Sequence, residues 1–311
     1  MVGASSATRT NGYSKAFALN GIGEDLSSGG CCNRDGPETI RKTVRLSSCM
    51  MAQKLSWQNG PWPLISFVEH GGKEPNEGLQ PMVREMITIH NALIRGLTSI
   101  YLQCVNIEKS PEDTPDFVAF CKIWGESLQE HHEMEETDIF PFIEEATGTS
   151  ELMKSTVEEH RTFDAGLAEF MTYIWKVDAG EEKYSGQKVK ASIEVFAPAM
   201  HQHMVNEIPA LLALDQYSDT VDWEEYWKKK AAEIFEKKSS DPTAKAIGLP
   251  FVLSCTDATF EDGIYPWPPN FPWMAKMITR YYYFPQHGNW WRFGPADSAG
   301  QPRELPFARA G

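Results

Sequence analysis

One spacing pattern of metal-binding residue types occurs twice in this 311-residue chain. A first histidine is followed 41 or 43 residues later by a second histidine, which has a glutamate four residues beyond it. The residues of the two copies are His90, His131 and Glu135, then His160, His203 and Glu207. Residues four apart lie on one face of an α-helix, so the pattern predicts helices that carry the same polar groups twice.

Apolar residues recur at helical spacing throughout residues 79–214, the region that contains both copies. Stretches rich in Gly, Pro, Ser or charged residues interrupt this periodicity at 106–115, 146–150 and 178–186. Four helical blocks joined by short turns predict an all-α fold, an antiparallel four-helix bundle spanning 79–214.

The histidines lie almost symmetrically about the two predicted hairpin turns. His90 is 21 residues before position 111 and His131 is 20 after it, and about position 182 the offsets of His160 and His203 are 22 and 21. At a rise of ~1.5 Å per residue, the four histidines meet at one level of the bundle to within one turn. A bundle core tolerates so many polar groups only if they satisfy one another, and shared metal ions do this.

The segment "HHEMEE" at 131–136 offers two alternative pairs of ligands. Steps of three and four residues from His131 and Glu135 trace an apolar stripe that consists of Phe120, Trp124, Leu128, Ile139 and Phe142. The stripe of His132 and Glu136 includes Gly125 and is half polar, so we expect this second pair to face water. His131 and Glu135 are therefore the predicted ligands.

The last predicted helix also offers two histidines. His203 and Glu207 share a stripe with Phe196, Met200, Leu211 and Leu214. His201 has Val205 rather than a carboxylate four residues on. Its own stripe is nevertheless apolar, and two prolines inside the helix are expected to kink it and rotate its faces. His201 thus stays open as an alternative.

Two such pairs, each preceded by a histidine on a partner helix, favour metal binding over solvated surface pairs. Imidazole and carboxylate ligands suit iron, zinc or manganese. Six protein ligands are more than one catalytic zinc takes. Two metal ions bridged by Glu135 and Glu207 would use all six.

Charge and cysteine content limit the classes of partner and compartment. The net charge of −14 argues against nucleic acid or an anionic membrane surface as a partner. Six irregularly spaced cysteines are typical of free thiols in a reducing compartment, and no apolar run is long enough to span a bilayer. We therefore expect a cytoplasmic protein.

The flanks of the bundle differ in composition from it. Residues 1–50 are rich in Gly, Ser and Thr and predict a disordered tail, and 51–78 form a lead-in segment. In the remaining region, 215–311, a charged helix is predicted at 222–238. From 249 onward, dense aromatic residues and prolines predict an irregular cap folded over the bundle.

Four segments carry a resemblance to a known family: "IHNALIRGL", "HHEMEETDIFPFIEEATG", "EEHRTFDAGL" and "HQHMVNEIPALLAL". They resemble the hemerythrin-like, HHE cation-binding family, and "KLSWQNGPWPLI" and the C-terminal tail are similar to its fungal members. The resemblance implies a non-haem diiron site whose ligands are His90, His131, Glu135, His160, His203 and Glu207. Oxygen-carrying members have a fifth histidine four residues after the third-helix histidine, whereas Asp164 stands there in this chain. Simple oxygen carriage is therefore not the first expectation.

Fewer protein ligands leave more coordination positions for small molecules, which favours metal-centred chemistry. Our first hypothesis is an O2-dependent oxidase or oxygenase acting on a small organic molecule, as the resemblance to fungal biosynthetic members implies. In it the aromatic cap forms the substrate pocket. The alternative is a non-catalytic protein that binds, senses or stores O2, NO or iron, and a structural zinc bundle is the third hypothesis.

Overall fold

The computed structural model of the protein describes residues 55–70, 77–264 and 273–308. All of them belong to one compact unit, Lys54–Gly311. The tail predicted at 1–50 lies outside the described residues, as does most of the aromatic run before Trp273.

Four long helices form the bundle, and we label helices of at least seven residues in chain order. They are α1 (Gln80–Ile107), α2 (Thr114–Met134), α4 (Lys154–Asp178) and α5 (Gly186–Leu212). A π-helical turn, Glu135–Ile139, continues α2 into α3 (Phe140–Thr147). α1 and α4 each pack against both α2 and α5, and the described residues form no β-strand. The predicted all-α four-helix bundle is confirmed, and its turns lie where the apolar periodicity breaks.

Local sequence signals explain where several helices begin and end. Pro81 and Pro115 stand in the first turns of α1 and α2, where a missing N–H costs nothing. Gly148 ends α3 in the left-handed conformation at φ 63°, which a glycine adopts without strain. The carboxylate of Asp222 accepts a hydrogen bond from the Glu225 backbone N–H and so caps the next helix, α6 (Trp223–Ser240).

The core between the metal-binding level and the α1–α2 turn is aromatic. Trp124 is fully buried, stacks with Phe196 and meets Phe170 edge-on, and its indole N–H donates to the Leu93 carbonyl at 2.9 Å. Beside it α2 and α4 approach closely, because a Cβ at Gly125 would lie only 2.0 Å from the Met171 sulfur. Gly125 is thus a packing residue of the buried interface and does not mark a polar face.

The π-helical turn changes the face that follows it. An extra residue in the turn rotates the downstream helix, so Ile139, Phe140 and Ile143 are buried. Phe142, predicted on the core stripe, is instead half-buried and stacks on Tyr226 of α6 at 3.7 Å. A strict count in threes and fours cannot anticipate this shift.

The region after the bundle contains more helix than its composition predicts. The predicted charged helix corresponds to α6, and α7 (Leu249–Cys255) follows a second π-helical turn, Ala244–Gly248. Further short helices are Trp273–Ile278, Phe284–Gln286 and Gly288–Trp291. The described part of the cap is therefore a set of short helices joined by irregular chain.

Aromatic side chains of the cap bury themselves against one end of the bundle. Phe293 meets Phe117 edge-on at 5.2 Å, and Phe251 lies 5.8 Å from Phe120. Arg292 pairs with both Asp113 and Asp116 at the start of α2. The cap thus covers the end that carries the α1–α2 turn.

Two further findings concern the described residues alone. Cys104, Cys121 and Cys255 are free and buried. None of the described helices combines the length and apolar character needed to cross a membrane.

Candidate metal centre

The structure brings together all six residues that the sequence pattern singles out. They are the imidazoles of His90, His131, His160 and His203 and the carboxylates of Glu135 and Glu207. Each is at most 5 % exposed, although all are ionisable. Such a concentration of polar groups in a core needs a compensating partner.

The four imidazoles form two pairs, and each pair comes from the two helices of one hairpin. His90 on α1 and His131 on α2 approach with their Nε2 atoms 3.1 Å apart. His160 on α4 and His203 on α5 have their Nε2 atoms 3.0 Å apart. The symmetry of the spacing about the turns is therefore realised in three dimensions.

The two carboxylates lie between the two pairs. Glu135 Oε1 is 2.9 Å from His131 Nε2, and its Oε2 is 3.5 Å from His160 Nε2. Glu207 Oε2 is 3.2 Å from His90 Nε2 and 3.9 Å from His203 Nε2. Each carboxylate therefore reaches both histidine pairs.

The donor set fits metal ions better than it fits a hydrogen-bonded core. All four carboxylate oxygens of Glu135 and Glu207 are buried and have no partner with hydrogen-bond geometry among the described residues. Unsatisfied buried carboxylates are costly, whereas carboxylate and imidazole lone pairs that converge are what a cation requires. Two overlapping groups of these side chains have ligand atoms within 4.8 Å of one another: His90, His131 and Glu135, and His132, Glu135, His160 and His203.

Groups just outside the centre fix the orientation of three of the imidazoles. His160 Nδ1 lies 2.6 Å from Glu136 Oε1, and His203 Nδ1 lies 3.3 Å from Glu159 Oε2. His90 Nδ1 lies 3.1 Å from the Met204 carbonyl oxygen. An acceptor at Nδ1 holds the proton there and leaves Nε2 free to bind a metal.

The electrostatics of the centre follow from burial and from the mutual approach of acids and imidazoles. Burial alone would lower the pKa of His90, but the carboxylates of Glu135 and Glu207 outweigh it and raise that pKa to about 9. Burial lowers the pKa of His203 to about 2, and the neighbouring His160 adds to this effect. Burial opposes ionisation of Glu135 too, yet His131, His160 and His90 hold its pKa well below the usual range.

The expectation that His132 and Glu136 face water is wrong for His132. Its side chain is 7 % exposed and stacks on His160 with ring centroids 4.2 Å apart. Gly125, which had made this stripe look polar, is buried against Met171. Glu136 is partly exposed, as expected, but its carboxylate contacts His160.

The other candidates do not join the centre. Asp164 is exposed, and His201 directs its Nε2 to the Pro63 carbonyl at 2.8 Å. Sequence reasoning also missed Glu136 and Glu159 as partners of the imidazoles. The available signal was that each stands next to a predicted ligand in the sequence, Glu136 after Glu135 and Glu159 before His160.

The described cap residues do not form a wall of the centre, contrary to expectation. Their contacts with α1 include Arg95 and Gly96, five and six residues beyond His90, which is ~8 Å or more along the helix. On α2, the cap contacts Phe120, eleven residues before His131. The centre is instead enclosed by the bundle itself, with Phe163 5.8 Å from His203 and Phe140 6.3 Å from His160.

A four-helix bundle with paired histidines and two shared carboxylates at one level defines a class of cation-binding bundle. The sequence model described as "Hemerythrin HHE cation binding domain" matches residues 82–214. The chain is also similar to the "Dimeric xanthone biosynthesis cluster protein R11" of Cryptosporiopsis sp. (strain 8999). The two are 30% identical over 263 residues, which cover 84% of this chain and 97% of that protein. No solved structure matches the chain. The chain belongs to the hemerythrin HHE cation-binding family, with a relative in a fungal biosynthetic cluster.

Proposed function

We propose that the protein holds two iron ions at this centre and uses them in an O2-dependent oxidation of a small organic molecule. The observation that carries the proposal is the placement of Glu135 and Glu207 between two histidine pairs. Each pair with the shared carboxylates would hold one ion, and iron suits this donor set, with zinc or manganese as alternatives. The relative, whose name assigns it to a dimeric xanthone biosynthesis cluster, supports a role in fungal secondary metabolism.

Bound ferrous ions would supply the electrons that reduce dioxygen. The residues of the chain contribute position and environment. The imidazoles direct Nε2 inward, while Glu136 and Glu159 hold two of the Nδ1 atoms from outside. Aromatic neighbours such as Phe163 keep water away from the donor atoms.

One surface cleft lies beside the centre and suits the approach of a small organic molecule. Its volume is about 230 Å³, and it lies between the π-helical turn region and α6. Met134 lines it, next in sequence to Glu135, and Lys237 and Lys238 line the opposite side. We propose this cleft, in place of the aromatic cap, as the route by which substrate reaches the centre. The compartment we propose is the cytoplasm.

The enclosure of the centre favours a second candidate function. His90, Glu135 and Glu207 are at most 1 % exposed, so a diatomic gas reaches them more easily than an organic substrate does. The alternative is therefore a non-catalytic protein that binds, senses or stores O2, NO or iron.

Metal analysis and oxygen kinetics decide between these functions. Protein purified without oxygen should contain two irons per chain, whereas a single tightly bound zinc with no affinity for iron would exclude the proposal. An oxidase mixed with aerated buffer in a stopped-flow spectrometer should convert to the ferric form, faster when its organic substrate is present. Full recovery of the ferrous spectrum on removal of oxygen, over many cycles and without substrate dependence, would establish the alternative.

A further inference from the structure

His132 is a buried imidazole that a six-ligand scheme leaves without a role. Its Nε2 is buried and has no hydrogen-bond partner among the described residues. An imidazole nitrogen left unsatisfied in a core is unfavourable unless something else binds it. The nitrogen therefore marks a position that a further ligand would occupy.

The surroundings of His132 point to one side of the centre. Its nearest aromatic ring is that of His160, stacked at 4.2 Å, and His203 meets it edge-on at 5.3 Å. A ligand atom of His132 lies within 4.8 Å of ligand atoms of Glu135, His160 and His203. His132 thus belongs with the His160–His203 pair.

The two histidine pairs also differ in the groups that hold them from outside. Carboxylates, those of Glu136 and Glu159, face the Nδ1 atoms of His160 and His203. A neutral backbone carbonyl faces Nδ1 of His90, and Nδ1 of His131 is buried without a partner among the described residues. Carboxylate acceptors make imidazoles better electron donors to a metal, so the His160–His203 side is the more basic one.

We propose that His132 is a third imidazole ligand on the His160–His203 side, which makes the two metal positions unequal. The position formed by His132, His160, His203 and Glu135 binds its ion more tightly and fills first. The position formed by His90 and His131 fills second. This inference rests on the proposed two-metal function and adds an order of loading to it.

Titration of the metal-free protein with Co2+ or Fe2+ under anaerobic conditions tests the proposal. The native chain should show two resolved steps, the first at least about 10-fold tighter than the second. Substoichiometric 57Fe should give one dominant Mössbauer doublet before a second appears. In His132→Asn the first step should weaken by at least about 10-fold, so that the two steps merge.

Two further variants separate ligation from packing. His132→Phe keeps a ring against His160 but has no nitrogen, so it should lose the first step as His132→Asn does. A normal titration of His132→Phe would show that the ring serves packing alone. His201→Asn, whose imidazole bonds the Pro63 carbonyl outside the centre, should titrate like the native chain. Thermal unfolding of each metal-free variant checks that the bundle is folded.

The outcomes distinguish this inference from the function on which it rests. If the native chain binds two ions and both His132 variants titrate normally, the third-ligand assignment fails and the two-metal function stands. If the native chain binds one ion and His132→Asn weakens it, the assignment holds and the two-metal function fails. A chain that binds no metal overturns both.

Discussion

The bundle is built differently at two levels along its axis. At the metal level six ionisable side chains are buried, and the carboxylate oxygens among them lack hydrogen-bond partners in the described part of the chain. Nearer the α1–α2 turn, Phe117, Phe120, Trp124 and Phe170 are at most fractionally exposed and pack with the cap residue Phe293. The same helices therefore carry a polar centre at one level and an apolar aromatic core at the other.

This difference teaches that stability and chemistry are separated along the helices. Burial of large aromatic side chains stabilises the fold by a few kcal/mol each. Buried acids and imidazoles oppose folding until a cation satisfies them. The aromatic level, extended by the cap, therefore offsets what the polar level costs. Changes at the two levels should have separable effects.

The largest effect is expected from Glu135→Ala, because Glu135 reaches both histidine pairs. Its oxygens lie 2.9 Å from His131 Nε2 and 3.5 Å from His160 Nε2. Loss of this carboxylate should weaken binding of both ions by at least about 1,000-fold, or about 4 kcal/mol. Competition with a chelator measures this, with the exposed neighbour Glu133→Ala as the matched control. Retention of two ions by Glu135→Ala would refute the shared-carboxylate arrangement.

Trp124→Ala should produce the opposite result, a loss of stability with the metal centre intact. The substitution removes a fully buried indole and leaves a cavity between Phe170 and Phe196. The free energy of unfolding should fall by about 3–5 kcal/mol in a urea titration. Metal affinity of the folded fraction should stay within a few-fold of the native value. The control is Trp175→Ala, since Trp175 is 46 % exposed and should cost about 0.5 kcal/mol or less.

Much of this two-level organisation was predictable from the sequence. Histidine spacing symmetrical about two turns predicted one polar level, and the apolar period predicted four helices. His131 and Glu135 could be placed on the buried face because Trp124 and Leu128 precede them on one stripe.

What the sequence could not supply depends on contacts between helices. Gly125 made the His132 stripe look polar, because a sequence count cannot see that the glycine admits Met171 from α4. The π-helical turn at Glu135–Ile139 moved Phe142 off the core face, and no residue type announces such a turn. The cap's density of aromatic residues predicted burial but not which end of the bundle it covers.

The smallest effect is expected from a group that touches an imidazole from outside. Glu159 Oε2 lies 3.3 Å from His203 Nδ1, and Glu159 Oε1 accepts a hydrogen bond from Asn206 at 2.9 Å. Because the glutamate is 34 % exposed, its contribution to folding stability is small. Its charge still strengthens His203 as a donor, and loss of such a carboxylate partner costs about 10–100-fold in metal affinity.

Glu159→Gln therefore sharpens the separation between the two levels. The glutamine keeps an oxygen that can accept from His203 but removes the charge, so metal binding should weaken by about 10–100-fold, or about 1.4–2.7 kcal/mol. The urea midpoint of the metal-free protein should not move, because the change lies at the rim of the polar level. Glu158→Gln, an exposed neighbour on the same helix, is the control and should bind metal as the native chain does. Because Glu159 faces only the His160–His203 side, the loss should fall on one of the two ions. Equal weakening of both, or a native titration, would show that the carboxylate does not act through His203.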